Sequence, residues 1–193
     1  MKIMKVFQCI AVWALLLASV VISSGTVWGG EKPTADGFVG VPWCASRLQA
    51  ASVMQEKGFT LITHKANRLY DADLYRGTFA DYPADLYFNY NGKDVFDSGY
   101  AFLLGFEGKN LDAAMSGYYS IVPLLKAKYG AFDKEIAGEE FRVCSWDNIP
   151  TKGASPGMVE IKVQGGRIPD FSGKNKNLYG VWVQYHYRQM KDI

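Results

Sequence analysis

Cysteine and histidine are scarce in this chain, which has 193 residues but only three cysteines and two histidines. Cys44 has no second cysteine three positions later, because that position is Arg47, so a dithiol redox site of the thioredoxin type is excluded. The sequence also lacks the His and Cys spacings that are typical of metal sites. We therefore expect neither a metal nor another cofactor.

Motifs for catalysis are also missing. The chain has no Gly-x-Ser-x-Gly elbow, and its glycine-rich stretch at residues 105–108 lacks the lysine and hydroxyl of a phosphate loop. Aspartates next to turns are usually solvated turn formers. Six aspartates flank the predicted strands and turns: Asp71, Asp73, Asp81, Asp85, Asp94 and Asp97. We therefore assign no catalytic residue.

The first 29 residues have the layout of a secretory signal peptide. Lys2 and Lys5 precede an apolar run at residues 10–22, and small and polar residues follow it, with cleavage expected after Gly29. The alternative is a retained membrane anchor, but the run is shorter than the roughly 20 residues that a spanning helix needs. We expect a periplasmic or secreted protein without a membrane span once residues 1–29 are removed.

The charge balance argues against a nucleic-acid ligand. The chain has 21 basic and 19 acidic residues, and the predicted signal peptide holds Lys2 and Lys5 but no acid, so 19 of each remain. A net charge near zero provides no positive field to attract phosphates. The remaining length suits one domain, residues 30–193.

Two helices are predicted. Ser46 and Gln49 form a capping box that begins a helix ending at about Lys57. Apolar residues at three- and four-residue steps predict a second helix at residues 111–129. Gly117 and Pro123 lie inside it, and they predict a kink, or a break near residues 117–120.

The other segments predict an antiparallel sheet of six to seven strands. Asn91-Gly92 predicts a two-residue type I′ hairpin turn. Short connections favour antiparallel pairing, and the fold class is α+β with both helices on one face of the sheet. The order of helix, strands, helix and strands suggests two similar halves. The strand-like segments are residues 59–63, 73–79, 85–90, 93–104, 140–146, 158–164 and 178–188.

Cys44 and Cys144 can be in one of three chemical states. In an oxidising compartment they can form a disulfide, which would close a loop of about 100 residues and stabilise the fold by about 4 to 5 kcal/mol. They can instead be two buried thiols. Cys44 can also be a reactive thiol, because a helix N-terminus and a nearby arginine lower a thiol pKa.

The last predicted strand has the clearest pattern. Val181, Val183, Tyr185 and Tyr187 alternate with residues of mixed chemistry. An aromatic, an amide, an imidazole and a guanidinium together resemble a recognition surface, which Tyr75, Tyr82 and Tyr87 would extend if their strands are adjacent. The alternative is an ordinary solvated sheet face. The predicted binding residues are Trp182, Gln184, His186 and Arg188.

The stretch Phe38-Val39-Gly40-Val41-Pro42-Trp43, followed by a capped helix, resembles the opening of a group of small exported bacterial proteins of uncharacterised function. In that group glycine follows the tryptophan, where this chain has Cys44. The resemblance implies an exported α+β domain and supplies no catalytic residue. Shorter stretches that also resemble the group are Arg76-Gly77-Thr78-Phe79, Tyr82-Pro83, Asn91-Gly92-Lys93, Leu125, Lys128-Tyr129-Gly130 and Trp146.

These observations predict a non-catalytic binding or envelope-associated protein in the periplasm. Its partner would be a protein, a peptide or an envelope component. One alternative is a hydrolase that depends on carboxylates or on the Cys44 thiol with a histidine. Another is a structural subunit of an envelope assembly.

Overall fold

The computed structural model describes residues 33–66, 71–108, 110–152, 155–168 and 178–190. The predicted signal peptide, residues 1–29, lies outside the described residues. Within these ranges no helix is both long enough and apolar enough to cross a membrane.

Two helices and ten strands make up the described part of the chain. In chain order they are β1 Gly37–Phe38, β2 Val41–Pro42, α1 Arg47–Glu56, β3 Thr60–Ala66, β4 Asp71–Phe79, β5 Tyr82–Tyr90, β6 Phe96–Gly108, α2 Leu111–Tyr129, β7 Lys134–Ala137, β8 Phe141–Pro150, β9 Gly157–Arg167 and β10 Tyr179–Gln189.

The main sheet has eight strands in the order β3-β4-β5-β6-β10-β9-β8-β7, and every neighbouring pair is antiparallel. β1 and β2 form a separate two-stranded sheet. Each helix precedes four strands, and the two sets of four meet where β6 pairs with β10. The α+β class with an antiparallel sheet is confirmed. The predicted strand number is too low, because β7 is short and exposed along its whole length and so has no apolar alternation.

The capping box at the start of α1 is confirmed. The Gln49 backbone N–H donates to the Ser46 side chain, and the Ser46 backbone N–H donates to the Gln49 side chain. Both bonds satisfy amides that a helix start would otherwise leave without partners. After the C-cap, Gly58 takes a φ of 71°, the left-handed region that glycine enters without strain.

α2 is one continuous helix from Leu111 to Tyr129, so the predicted break near residues 117–120 is wrong. Pro123 is exposed, and so is Tyr119, whose carbonyl loses its helical donor. Water can therefore satisfy that carbonyl. Gly117 is buried, and Phe106 and Val181 pack so closely on it that a Cβ there would lie 2.6 Å from the Phe106 ring and 2.8 Å from the Val181 side chain. It allows close packing instead of breaking the helix.

The turn between β5 and β6 differs from the predicted two-residue type I′ turn. The Asp94 backbone N–H donates to the Asn91 carbonyl, and the Asn91 N–H donates to the Val95 carbonyl, so three residues form the loop. Asp94 takes the left-handed conformation, with φ 58°. The Asn91 side chain accepts hydrogen bonds from the amides of Lys93 and Val95. This side-chain capping favours the longer loop.

One face of the main sheet forms the core, and both helices pack over it. Tyr118 of α2 lies against Gly165 of β9, and Met54 of α1 is fully buried in the same apolar cluster as Leu86 and Phe88 of β5. We call this the core face.

The stretch around β1 and β2 packs against the core face. The Phe38 ring lies 5.3 Å from the rings of both Phe88 and Tyr185. Trp43 stacks between Phe96 and Tyr187, with centroid distances of 5.1 and 5.6 Å. Aromatic contacts of this kind dominate core energetics, so this short hairpin is a structural part of the core that covers the main sheet.

The Cys44–Cys144 disulfide is absent, because both thiols are free. The Cys44 backbone N–H donates to the Phe96 carbonyl in β6. Cys144 lies in β8, and the residues paired with it across β9 and β10 lead to Ala101 in β6. Three strand spacings and five residues separate the two places, which is about 14 Å across the sheet and about 16 Å along it. A disulfide needs Cα atoms within about 7 Å. Cys144 is a buried thiol whose pKa is raised by burial.

We predict that Gly117→Ala destabilises the protein. Alanine favours helices by about 1 kcal/mol over glycine, but the added methyl meets Phe106 and Val181, and overpacking costs about 1 to 3 kcal/mol. Urea unfolding measures the net change in the free energy of unfolding. Ser116→Ala, at an exposed position of the same helix, is the control and is expected to change stability by less than about 0.5 kcal/mol. A Gly117→Ala protein more stable than wild type would contradict the packing.

Candidate functional site

The sheet face opposite the core face carries half-buried aromatic and polar side chains on its central strands. The alternation in β10 is confirmed: Val181, Val183, Tyr185 and Tyr187 are buried on the core face. On the opposite face, residues of β6 and β5 lie in register with the residues of β10 that alternate with these four. We call this surface the polar–aromatic face and define it by Tyr87, Ser98, Tyr100, Phe102, Trp182, Gln184 and His186.

Trp182 and Tyr100 form the centre of the polar–aromatic face. Their rings stack with a centroid distance of 6.0 Å and an interplanar angle of 15°. The Gln184 amide donates to the Tyr100 hydroxyl at 3.3 Å, and Tyr87 pairs with Tyr100 across β5 and β6. Among the described residues, the Trp182 indole N–H meets no acceptor although it is shielded from solvent. The centre therefore combines flat aromatic surface with an unused donor.

A carboxyl group lies beside His186. The register between β5 and β6 shifts so that Asp97 is an extra residue between Phe96 and Ser98, a bulge that redirects its side chain. The Ser98 hydroxyl donates to Asp97 at 3.2 Å. Burial raises the pKa of Asp97, and the Ser98 hydrogen bond and the nearby His186 offset only part of that rise. Perturbed carboxyls of this kind concentrate at functional sites.

Arg188, the last of the predicted binding residues, is on β10 but is exposed and already paired. Its Nη2 lies 2.8 Å from Glu160 Oε2, and Lys162 Nζ lies 3.3 Å from the other Glu160 oxygen. Glu160 in turn lies opposite His186 across β9 and β10. The four predicted residues thus share one strand, but Arg188 extends beyond the aromatic centre into a charged region.

Two of the three tyrosines expected to extend this surface lie elsewhere. Tyr75 is buried on the core face and contacts Phe88 at a centroid distance of 5.6 Å. Tyr82 packs against Phe106 and the core cluster. Only Tyr87 lies on the polar–aromatic face. The error arises because the face of each strand depends on its register, which the sequence alone does not define.

A second cluster of charges surrounds Arg47, the first residue of α1. Its guanidinium contacts Asp71 and Asp73 of β4, each at 2.6 Å, and Asp94 at 2.9 Å. It also lies over the Tyr90 ring, with Cζ 4.2 Å from the centroid. Burial alone would lower the pKa of Arg47, but hydrogen bonds to Asp71 and Asp94 outweigh it and raise that pKa. This cluster fastens α1 to β4 and to the β5–β6 turn.

Asp73 is buried, so its description as a solvated turn former is wrong. Its side chain is 5% exposed, and its Oδ1 also lies 2.8 Å from His64 Nδ1. Sequence reasoning missed this cluster because its members come from four separate elements. Among the described residues no hydrogen bond joins Cys44 to either histidine, and no three metal-ligating side chains lie close enough to hold a metal ion.

No protein-family model matches the chain, and no curated protein or solved structure shows a significant match to it.

We predict that Arg47→Met destabilises the protein by about 2 to 4 kcal/mol, because it leaves the buried Asp73 without its guanidinium. Methionine retains most of the aliphatic part of the arginine side chain, so the change in stability reports mainly the loss of the charge. Arg76→Met is the control: Arg76 pairs with Asp85 but is 56% exposed, and solvent screens such a pair, so its loss is expected to cost much less stability. Equal losses in urea unfolding for the two variants would contradict a structural role for the Arg47 cluster.

A second prediction concerns pH. Because the pKa of Asp97 is higher in the folded than in the unfolded protein, the folded state binds the proton more tightly, and stability falls as pH rises between the two values. Asp97→Asn cannot ionise but still accepts from Ser98. We expect this variant to be more stable than wild type near pH 7 and equally stable near pH 3, measured by urea unfolding. A variant that is less stable near pH 7 would contradict the assignment.

Proposed function

We propose that this protein is an exported, periplasmic, non-catalytic binding protein whose polar–aromatic face binds a polypeptide partner. The observation that carries the proposal is the contiguous set of half-buried Tyr87, Tyr100, Phe102 and Trp182 on the sheet face opposite both helices. Tryptophan and tyrosine are enriched among the residues that supply most of the binding energy in protein interfaces.

The polar groups of this face suit a polypeptide. The indole N–H of Trp182 lacks an acceptor among the described residues, but it is shielded from solvent, so a partner's carbonyl reaches it only if the Trp182 side chain rotates. Gln184 and His186 add donors and acceptors next to the aromatic centre. A partner that covers this face removes its apolar surface from water.

The charges of the face favour a polypeptide over a nucleic acid. Arg76 lies 2.8 Å from Asp85, and Arg188 and Lys162 both contact Glu160. Cations that already face carboxylates form no continuous positive track for a phosphate backbone. The near-zero net charge of residues 30–193 agrees with this.

Thiol-dependent hydrolysis has less support. Cys44 follows β2 with its amide bonded to Phe96, whereas His64 contacts Arg47 and Asp73, and His186 lies on the polar–aromatic face. A nucleophile needs a base within hydrogen-bond reach.

Photo-crosslinking tests the proposal. Tyr87 is replaced by p-benzoylphenylalanine in cells that export the protein, and we expect a discrete adduct with a second polypeptide. The control position is Tyr119, which is 55% exposed on α2 at the other side of the molecule. Adding Trp182→Ala is expected to reduce the Tyr87 adduct about tenfold, since such residues contribute about 1.4 kcal/mol or more.

Adducts from Tyr119 as strong as those from Tyr87, or none from Tyr87, would contradict binding through this face. An adduct between two copies of this chain would instead favour a structural subunit of an assembly.

A further inference from the structure

A pocket of about 280 Å³ lies where β7, β8, β9 and β10 meet, beyond the His186 end of the polar–aromatic face. This volume is near the lower limit of small-molecule sites and too small for a polymer. We call it the charged pocket and define it by Lys134, Asp147, Asn148, Met158, Val159, Glu160 and Arg188.

The shape of the pocket depends on an irregularity in β8. The pairing of β8 with β9 shifts register between Trp146 and Ile149, and Asn148 takes a left-handed φ of 57°. Bulges with this backbone conformation redirect side chains and are frequent next to functional sites. Here the bulge brings Asp147 within 2.7 Å of Lys134.

Two ion pairs line the pocket. Lys134 pairs with Asp147 at 2.7 Å and Arg188 pairs with Glu160 at 2.8 Å, while Lys162, outside the lining, contacts the other Glu160 oxygen at 3.3 Å. A ligand with a single charge would meet repulsion from one member of each pair. A compact ligand with both an ammonium and a carboxylate matches both members.

A ligand can replace these ion pairs at low cost. Lys134 is 71% exposed and Arg188 is 56% exposed, and solvent screens such exposed pairs, so they contribute little to stability. The carboxylates are less exposed and therefore better fixed. The guanidinium of Arg188 can bind a ligand carboxylate with two hydrogen bonds.

Met158, which is half-buried, supplies the apolar side chain of the lining, whereas the Val159 side chain is fully buried on the core face. Methionine is flexible and adapts to irregular apolar groups. We propose that the charged pocket binds a free α-amino acid with an aliphatic side chain, its carboxylate at Arg188 or Lys134 and its ammonium at Glu160 or Asp147. This site is separate from the proposed polypeptide-binding surface.

Calorimetric titration of the exported protein with three probes tests this inference. L-leucine carries both charges, N-acetyl-L-leucine retains only the carboxylate, and L-leucine methyl ester retains only the ammonium. We expect saturable binding of L-leucine and at least tenfold weaker binding of each derivative. Absence of saturable L-leucine binding up to about 10 mM, or equal binding of all three probes, would overturn the proposal.

Variants locate the binding. Arg188→Gln and Glu160→Gln are expected to weaken L-leucine binding at least tenfold, whereas Arg76→Gln, with the same exposed fraction in the same sheet, retains it. Trp182→Ala also retains it, so failure of this site and failure of the polypeptide-binding surface are distinguishable. Unchanged affinity in Arg188→Gln would overturn the proposal, and thermal melts confirm that each variant is folded.

Discussion

The architecture depends on the alternation of side chains from Val181 to Tyr187 in β10 and from Ser98 to Leu103 in its neighbour β6, at the centre of the sheet. Val181, Val183 and Tyr185 project into the core face, where α2 and the β1–β2 hairpin pack against them. The same geometry directs Trp182, Gln184 and His186 to the opposite side. Because the first set of side chains is buried, the second set forms the surface of the opposite face. A shift of one residue in the strand register would exchange the two sets.

The core and the polar–aromatic face are therefore two results of one constraint. Aromatic packing around Phe38 fills the core face so completely that Gly99 has no space for a Cβ, which would lie 2.3 Å from the Phe38 ring. The Arg47 cluster closes the core near α1 with charges, and it uses a buried carboxylate that is held by a guanidinium. The side chains proposed for recognition lie on the face of the sheet opposite the aromatic core and the Arg47 cluster. Substitutions on that face are expected to spare the fold.

Local patterns made much of this fold predictable. The α1 capping box, the bounds of α2 and the strands that became β5, β9 and β10 follow from residue spacing. The prediction failed where tertiary contacts outweigh local preference. Pro123 remains in α2 because its exposed position lets water satisfy the freed carbonyl, and Asn91 builds a three-residue loop through its own side chain.

The candidate sites were predictable only in part. Trp182, Gln184 and His186 were found because one strand contains them all. Asp97, Glu160 and Asp147 were not, because their positions depend on strand order and on two bulges. The cysteine pairing also depended on strand order, which separates Cys44 from Cys144 across three strand spacings.

Hydroxyl-radical footprinting of the native protein tests whether the sheet has one buried and one accessible face, because it measures the accessibility of neighbouring side chains on one strand. We expect oxidation of Trp182 and Tyr100 and protection of Tyr185 and Trp146, with the exposed Tyr119 as the reference for full reactivity. Protection of Trp182 equal to that of Trp146, or equal oxidation of Trp182 and Tyr185, would contradict a sheet with one buried and one accessible face.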